Sequence, residues 1–129
     1  MGDKPVPRPT DAELAILRVL WERGPSTVRE VHDELSATQD TGYTTVLKLL
    51  QIMTDKGLVV RDESQRAHVY ATRESEQRTQ RQLIGDLVER AFGGSPTKLV
   101  MQALSATKAS ADELTQIRLL LEKMEGDSK

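Results

Sequence analysis

Residues 43–73 read YTTVLKLLQIMTDKGLVVRDESQRAHVYATR, and this stretch decides the fold. Val46, Leu47, Leu50 and Met53 recur at three- and four-residue spacing, which makes one apolar stripe on a helix from about Tyr43 to Lys56. Gly57 stands where a helix takes its left-handed C-terminal glycine. Leu-Val-Val-Arg (58–61) then reads as a strand, Asp62 to Arg66 as a polar turn, and Ala67-His68-Val69-Tyr70-Ala71 alternates as a returning strand. The pattern is a helix feeding a β-hairpin with a charged tip.

Two shorter helices precede it. Thr10 and Glu13 have the capping-box spacing that satisfies two orphan N–H groups at a helix start. Leu14, Leu17 and Trp21 follow at helical spacing, flanked by Ile16 and Leu20, and Gly24-Pro25 ends the element. Trp21 falls on this apolar stripe and reads as core. Thr27 and Glu30 repeat the capping spacing, and Val28, Val31 and Leu35 mark a helix from about 27 to 37, with a polar turn from Thr38 to Gly42. Residues 1–9, rich in proline and charge, read as a flexible arm. The order helix, helix, turn, helix, hairpin over residues 10–73 predicts a winged helix-turn-helix in a mainly α protein.

After residue 73 the pattern is helical throughout. One helix from about Glu74 to Phe92 carries Leu83, Ile84, Leu87, Val88, Ala91 and Phe92. Gly93-Gly94 breaks it, and Ser95-Pro96 opens a second helix bearing Leu99, Val100, Met101 and Leu104. Ser110 and Glu113 cap a third, with Leu114, Ile117, Leu120, Leu121 and Met124. Residues 74–129 read as a helical dimerisation domain.

Composition narrows the function. Of 129 residues only 3% are aromatic, so the core must be aliphatic and small, and sharing a core between two chains would help. The absence of cysteine excludes disulfides, thiolate zinc sites and cysteine nucleophiles. His32 and His68 lie far apart without a carboxylate at ligand spacing, so no metal or cofactor is expected. No apolar run approaches the roughly 20 residues of a membrane span, and the N-terminal arm lacks a signal-peptide pattern, which predicts a cytoplasmic protein. No nucleophile with a base and no paired carboxylates suggest an enzyme.

The polar face of the third helix points to double-stranded DNA. Tyr43, Thr44, Thr45, Lys48, Gln51 and Asp55 lie away from the apolar stripe. Threonine can donate, accept or touch a thymine methyl, Lys48 can reach a guanine edge or a phosphate, and Gln51 can pair with adenine. Arg61, Arg66, His68 and Arg73 of the hairpin are spaced to meet phosphates, as are Ser26, Thr27 and Arg29 at the start of the second helix. The net charge of −2 runs against a simple DNA binder, but residues 41–73 hold five Lys/Arg against three acids.

The chain resembles the penicillinase-repressor family of the BlaI/MecI type. The resemblance rests on residues 10–21 (TDAELAILRVLW), 26–31 (STVREV), 42–50 (GYTTVLKLL), 56–59 (KGLV), 68–70 (HVY), 92–95 (FGGS) and 113–123. It implies a repressor that binds a palindromic operator, often with TACA/TGTA half-sites, as a homodimer made by exchanging helices 74–125. It also implies release of the operator by proteolysis, driven by a membrane metallopeptidase sensor. The family's cleavage point maps onto Gln102-Ala103, where its best-known members carry Asn-Phe. Ile52 stands where many members have arginine. The absence of cysteine sets the chain apart from the copper-responsive branch. A winged-helix protein-interaction module and a ligand-sensing repressor of the MarR type are the alternatives.

Overall fold

A computed structural model describes residues 7–128. The elements, in chain order, are α1 (Asp11–Arg23), β1 (Ser26–Thr27), α2 (Val28–Ser36), α3 (Tyr43–Lys56), β2 (Val59–Asp62), β3 (Val69–Thr72), α4 (Glu76–Ala91), α5 (Pro96–Ala106) and α6 (Ala111–Asp127). Residues 1–6 of the expected N-terminal arm lie outside the described residues. The chain divides into two compact units between Gly85 and Asp86, inside α4.

The first unit is a winged helix. Its helices begin where the sequence supplies caps: the Thr10–Glu13 and Thr27–Glu30 boxes both form, with each threonine Oγ1 accepting from the glutamate N–H and each glutamate accepting from the threonine N–H. α3 ends in a Schellman turn. Gly57 sits at φ 84°, its N–H donates to the Thr54 carbonyl, and the Leu58 N–H donates to the Met53 carbonyl at 2.9 Å. Leu58 is therefore still part of the helix terminus, and β2 starts one residue later than its apolar run suggests. The returning strand is likewise shifted, from the expected 67–71 to Val69–Thr72.

The sheet has three antiparallel strands in the order β1-β3-β2. Thr72 faces Val59 and Asp62 faces Val69, while β1 places Ser26 opposite Tyr70 and Thr27 opposite Val69. A two-residue strand carries no periodic signal, so β1 is absent from the sequence reading. Its pairing ties the start of α2 to the wing.

The core is formed by Ile16, Leu17, Leu20, Val28, Val31, Leu35, Val46, Leu50, Met53, Leu58, Val59 and Tyr70. On α1 the buried face centres on Ile16, Leu17 and Leu20, while Leu14 and Trp21 pack at its edge. The Trp21 indole N–H donates to the Glu74 carbonyl at 3.3 Å, so the ring closes the edge of the core over the segment that leads into α4. Glu13 is buried too, and its carboxylate meets Lys56 Nζ at 2.6 Å. This pair joins the first turn of α1 to the last turn of α3, across 43 residues of sequence.

The second unit is described by itself. α5 begins at Ser95, whose Oγ accepts from the Lys98 N–H, with Pro96 in its first turn; the Ser110–Glu113 capping box starts α6. Neither helix buries a side chain. Val100, Met101, Leu104, Leu114, Leu119, Leu120, Leu121 and Met124 all stand exposed. Among the described residues no helix is long and apolar enough to cross a membrane.

Candidate nucleic-acid interface

α3 separates its residues by chemistry. Val46, Leu50 and Met53 are fully buried, whereas Tyr43, Thr44, Thr45, Lys48, Gln51, Ile52 and Asp55 are exposed. Helical geometry sets Thr44, Lys48 and Gln51 in a row three and four residues apart. Gly42 at the N-cap offers no side-chain hydrogen bond, which leaves first-turn N–H groups of α3 to an outside acceptor. Ile52 adds an apolar group to the flank of this row, suited to contact with a methyl rather than a phosphate.

Beside α3 lies a groove of about 350 Å³ between the start of α2 and the wing. Thr27, Arg29, Tyr43, Arg66, His68 and Tyr70 line it. Residues from three separate segments thus converge on one depression. Arg29, Lys48 and Arg66 make no ion pair among the described residues, so all three charges are available to an anion.

The other candidates are placed differently. Ser26 is removed from this surface: it is fully buried, and its hydroxyl donates to the Gly24 carbonyl at 2.8 Å. β1 pairing turns it inward. Thr27 accepts from the Glu30 N–H through Oγ1 and donates its own N–H to Glu30, so only its hydroxyl hydrogen remains to offer. Arg61 and His68 share Glu63, at 3.4 and 3.8 Å. A hydrogen bond with the Tyr70 hydroxyl, and then the Glu63 charge, raise the Arg61 guanidinium above its ordinary pKa. At the wing tip the Ser64 N–H donates to Asp62 Oδ1 at 2.9 Å, and this bond lowers the Asp62 carboxyl. The wing therefore carries its own carboxylates, and among the described residues Arg66 makes no ion pair with them. Replacing Arg66 with alanine is expected to lower the slope of log affinity against log salt by about one ion. An unchanged slope in a salt titration would remove Arg66 from the interface.

Two features of this unit escape the sequence. Glu63 is one acid among several in a polar turn, and only the hairpin register sets it between Arg61 and His68. His32 has no signal as an isolated residue on α2, yet Nε2 lies 2.9 Å from the Thr41 carbonyl. Among the described residues no group of three or more His, Asp or Glu stands close enough to hold a metal ion.

The family described as penicillinase repressor matches residues 9–123, nearly the whole chain. The chain belongs to the penicillinase repressor family. Over 62 residues it is 48% identical to the transcriptional regulator BlaI of Mycobacterium tuberculosis, a match that spans 47% of this chain and 45% of that relative. Over 126 residues it is 25% identical to the penicillinase repressor of Bacillus licheniformis, with 98% of each covered. The solution structure of the Bacillus licheniformis BlaI monomer in complex with the blaP half-operator superposes with a TM-score of 0.50 at 29% identity. It covers 57% of this chain and 89% of that one. The resemblance read from the motifs of residues 10–21, 42–50 and 92–95 is thus the family of the chain.

Proposed function

We propose that this penicillinase repressor family member is a transcriptional repressor that binds an inverted-repeat operator as a homodimer. One observation carries the reading: the exposed row Thr44, Lys48 and Gln51 on α3 runs beside a groove holding Arg29 and Arg66, and among the described residues none of these three cations has an ion pair. Polar groups able to read base edges thus stand next to charges able to hold phosphates, which is what a duplex requires of a reading helix. The relative solved on a half-operator supports the same assignment.

In this mechanism α3 enters the major groove. Thr44, Thr45, Lys48 and Gln51 face base edges, and Tyr43 sits at the helix entrance. Arg29, Arg66 and the Thr27 hydroxyl meet phosphates on either side. Arg61 and His68 join them to the extent that a phosphate displaces Glu63. One head makes few contacts and binds weakly. Two heads joined through the tail bind an inverted repeat far more tightly, because the second contact becomes intramolecular.

The tail residues proposed to form that junction are Leu83, Ile84, Leu87, Val88, Phe92, Leu99, Val100, Leu104, Leu114, Ile117, Leu120, Leu121 and Met124. Every one is exposed or only half-buried in the single chain. An apolar stripe that its own chain leaves open calls for a partner. The proposed point of proteolytic release, Gln102-Ala103, lies exposed within α5, so cleavage there needs that helix to open locally. A cytoplasmic setting and a membrane metallopeptidase pathway belong to the same reading.

The test is selection of bound sequences from a random duplex pool, followed by titration of the selected site. Enrichment of inverted repeats is expected; a pool that stays random defeats the proposal. Lys48→Ala should weaken binding to the selected site about tenfold or more, the worth of one base-edge contact, with a smaller change on random duplex. Equal loss on both would make Lys48 a phosphate contact only.

A further inference from the structure

His32 stands half-buried on α2 and reaches across to the turn that launches α3. Its Nε2 is 2.9 Å from the Thr41 carbonyl and 3.2 Å from Ser36 Oγ. A carbonyl can only accept, so Nε2 carries a hydrogen in this contact. The His32 and Tyr43 rings meet in a T-shaped arrangement, with centroids 6.0 Å apart and planes at 71°, a favourable aromatic geometry. Nδ1 lies 3.6 Å from Asp33 Oδ1. One side chain thus holds the last residues of the turn and the first residue of α3. The other hydrogen bonds of the turn, from the Thr38 and Gln39 N–H groups to the Leu35 carbonyl and from Thr41 Oγ1 to Gln39 Oε1, stay within residues 35–41, and Gly42 gives α3 no side-chain cap.

We propose that His32 is a positioning residue for sequence reading: it locks the 38–42 turn and the Tyr43 ring so that Thr44 and Thr45 meet base edges in one orientation. The inference rests on the DNA reading above. The turn between α2 and α3 is polar and exposed, and a chain of this kind samples many conformations unless tied down. Tethering Thr41 and Tyr43 beforehand removes that freedom before DNA arrives, and preorganisation of this kind favours the complex that depends on geometry over the one that depends on charge. His32 itself faces the turn, so it acts through Tyr43 and the threonines and not by contact with a base.

The experiment compares full-length wild type with His32→Ala, His32→Gln and His32→Asn. The Gln amide nitrogen reaches the place of Nε2, whereas the Asn nitrogen reaches only that of Nδ1. Amide hydrogen exchange over residues 46–49, the first α3 amides with acceptors inside the helix, and affinity for the selected and random duplexes are measured together. His32→Ala should speed exchange in that segment alone and weaken the selected site about tenfold, one hydrogen bond and one ring contact, with random-duplex affinity changed less than about twofold. His32→Gln, which keeps the hydrogen bond but not the ring contact, should restore about half of both, and His32→Asn neither. Unchanged exchange in His32→Ala would overturn the latch whether or not any duplex binds. Faster exchange with undiminished selectivity would overturn the positioning role. Absence of duplex binding by wild type would defeat the DNA reading instead, with the exchange result still deciding whether the latch exists. If His32→Ala does not fold, the Gln and Asn pair makes the same comparison.

Discussion

Replacing Glu13 with alanine should lower the stability of the winged unit by about 2–3 kcal/mol, a fall of roughly 10–20 °C in midpoint. The carboxylate is buried and receives Lys56 Nζ at 2.6 Å and the Thr10 N–H at 2.8 Å. Removing it leaves the Thr10 N–H without the carboxylate that closes the capping box and leaves a cation against the protein without its counter-charge. The Lys56 side chain is 31% exposed, so water can recover part of the loss, which sets the estimate below that for a fully enclosed pair. Glu13→Gln should cost less, because its amide oxygen still accepts from Thr10.

The same pair fixes a response to acid. Burial pushes the Glu13 carboxyl up, but the hydrogen bonds from Lys56 and Thr10 and the Lys56 charge pull it down further, to below its ordinary 4.5. A carboxyl lowered by folding contributes stability that is fully present above the unfolded value. That contribution is lost as pH falls through the folded one. Thermal melts from neutral pH to about pH 3 should therefore show wild type converging on Glu13→Ala at the acid end. Parallel curves, or a variant as stable as wild type at neutral pH, would remove the pair from the account of stability.

Replacing Leu120 with aspartate should yield monomers and weaken binding to the inverted repeat by about a hundredfold or more, the advantage of tethering two heads. Leu120 is 55% exposed on α6, among Leu114, Leu119, Leu121 and Met124. In a dimer it would be covered, and a carboxylate there would be buried without a partner. Binding to a single half-site should be unchanged, because the winged unit keeps its own complete core. Light scattering reports the mass and a titration on whole and half operators reports the affinity. A dimeric variant, or equal loss on the half-site, would show that Leu120 lies outside the junction.

The comparison of sequence with structure divides by distance along the chain. The bounds of α3 are legible from its stripe and from Gly57, and three capping boxes locate the starts of α1, α2 and α6, because each signal lies within four residues. β1 escapes since two residues have no period. The Glu13–Lys56 pair escapes because the glutamate is already explained by its cap and the lysine reads as an ordinary last-turn cation. Ser26 looks like a phosphate donor until strand pairing with Tyr70 turns it inward. The polar row on α3 is legible as a face, but the convergence of Arg29 and Arg66 on one groove is a product of folding.

The indole of Trp21 gives this protein a built-in optical reporter. It is the only tryptophan in the sequence, and its N–H is held by the carbonyl of Glu74, just ahead of α4. Any event that draws that segment away from α1 must break this bond and wet the ring, so emission should redden and dim. Separation of this segment from α1 can therefore be followed in unlabelled protein and in real time.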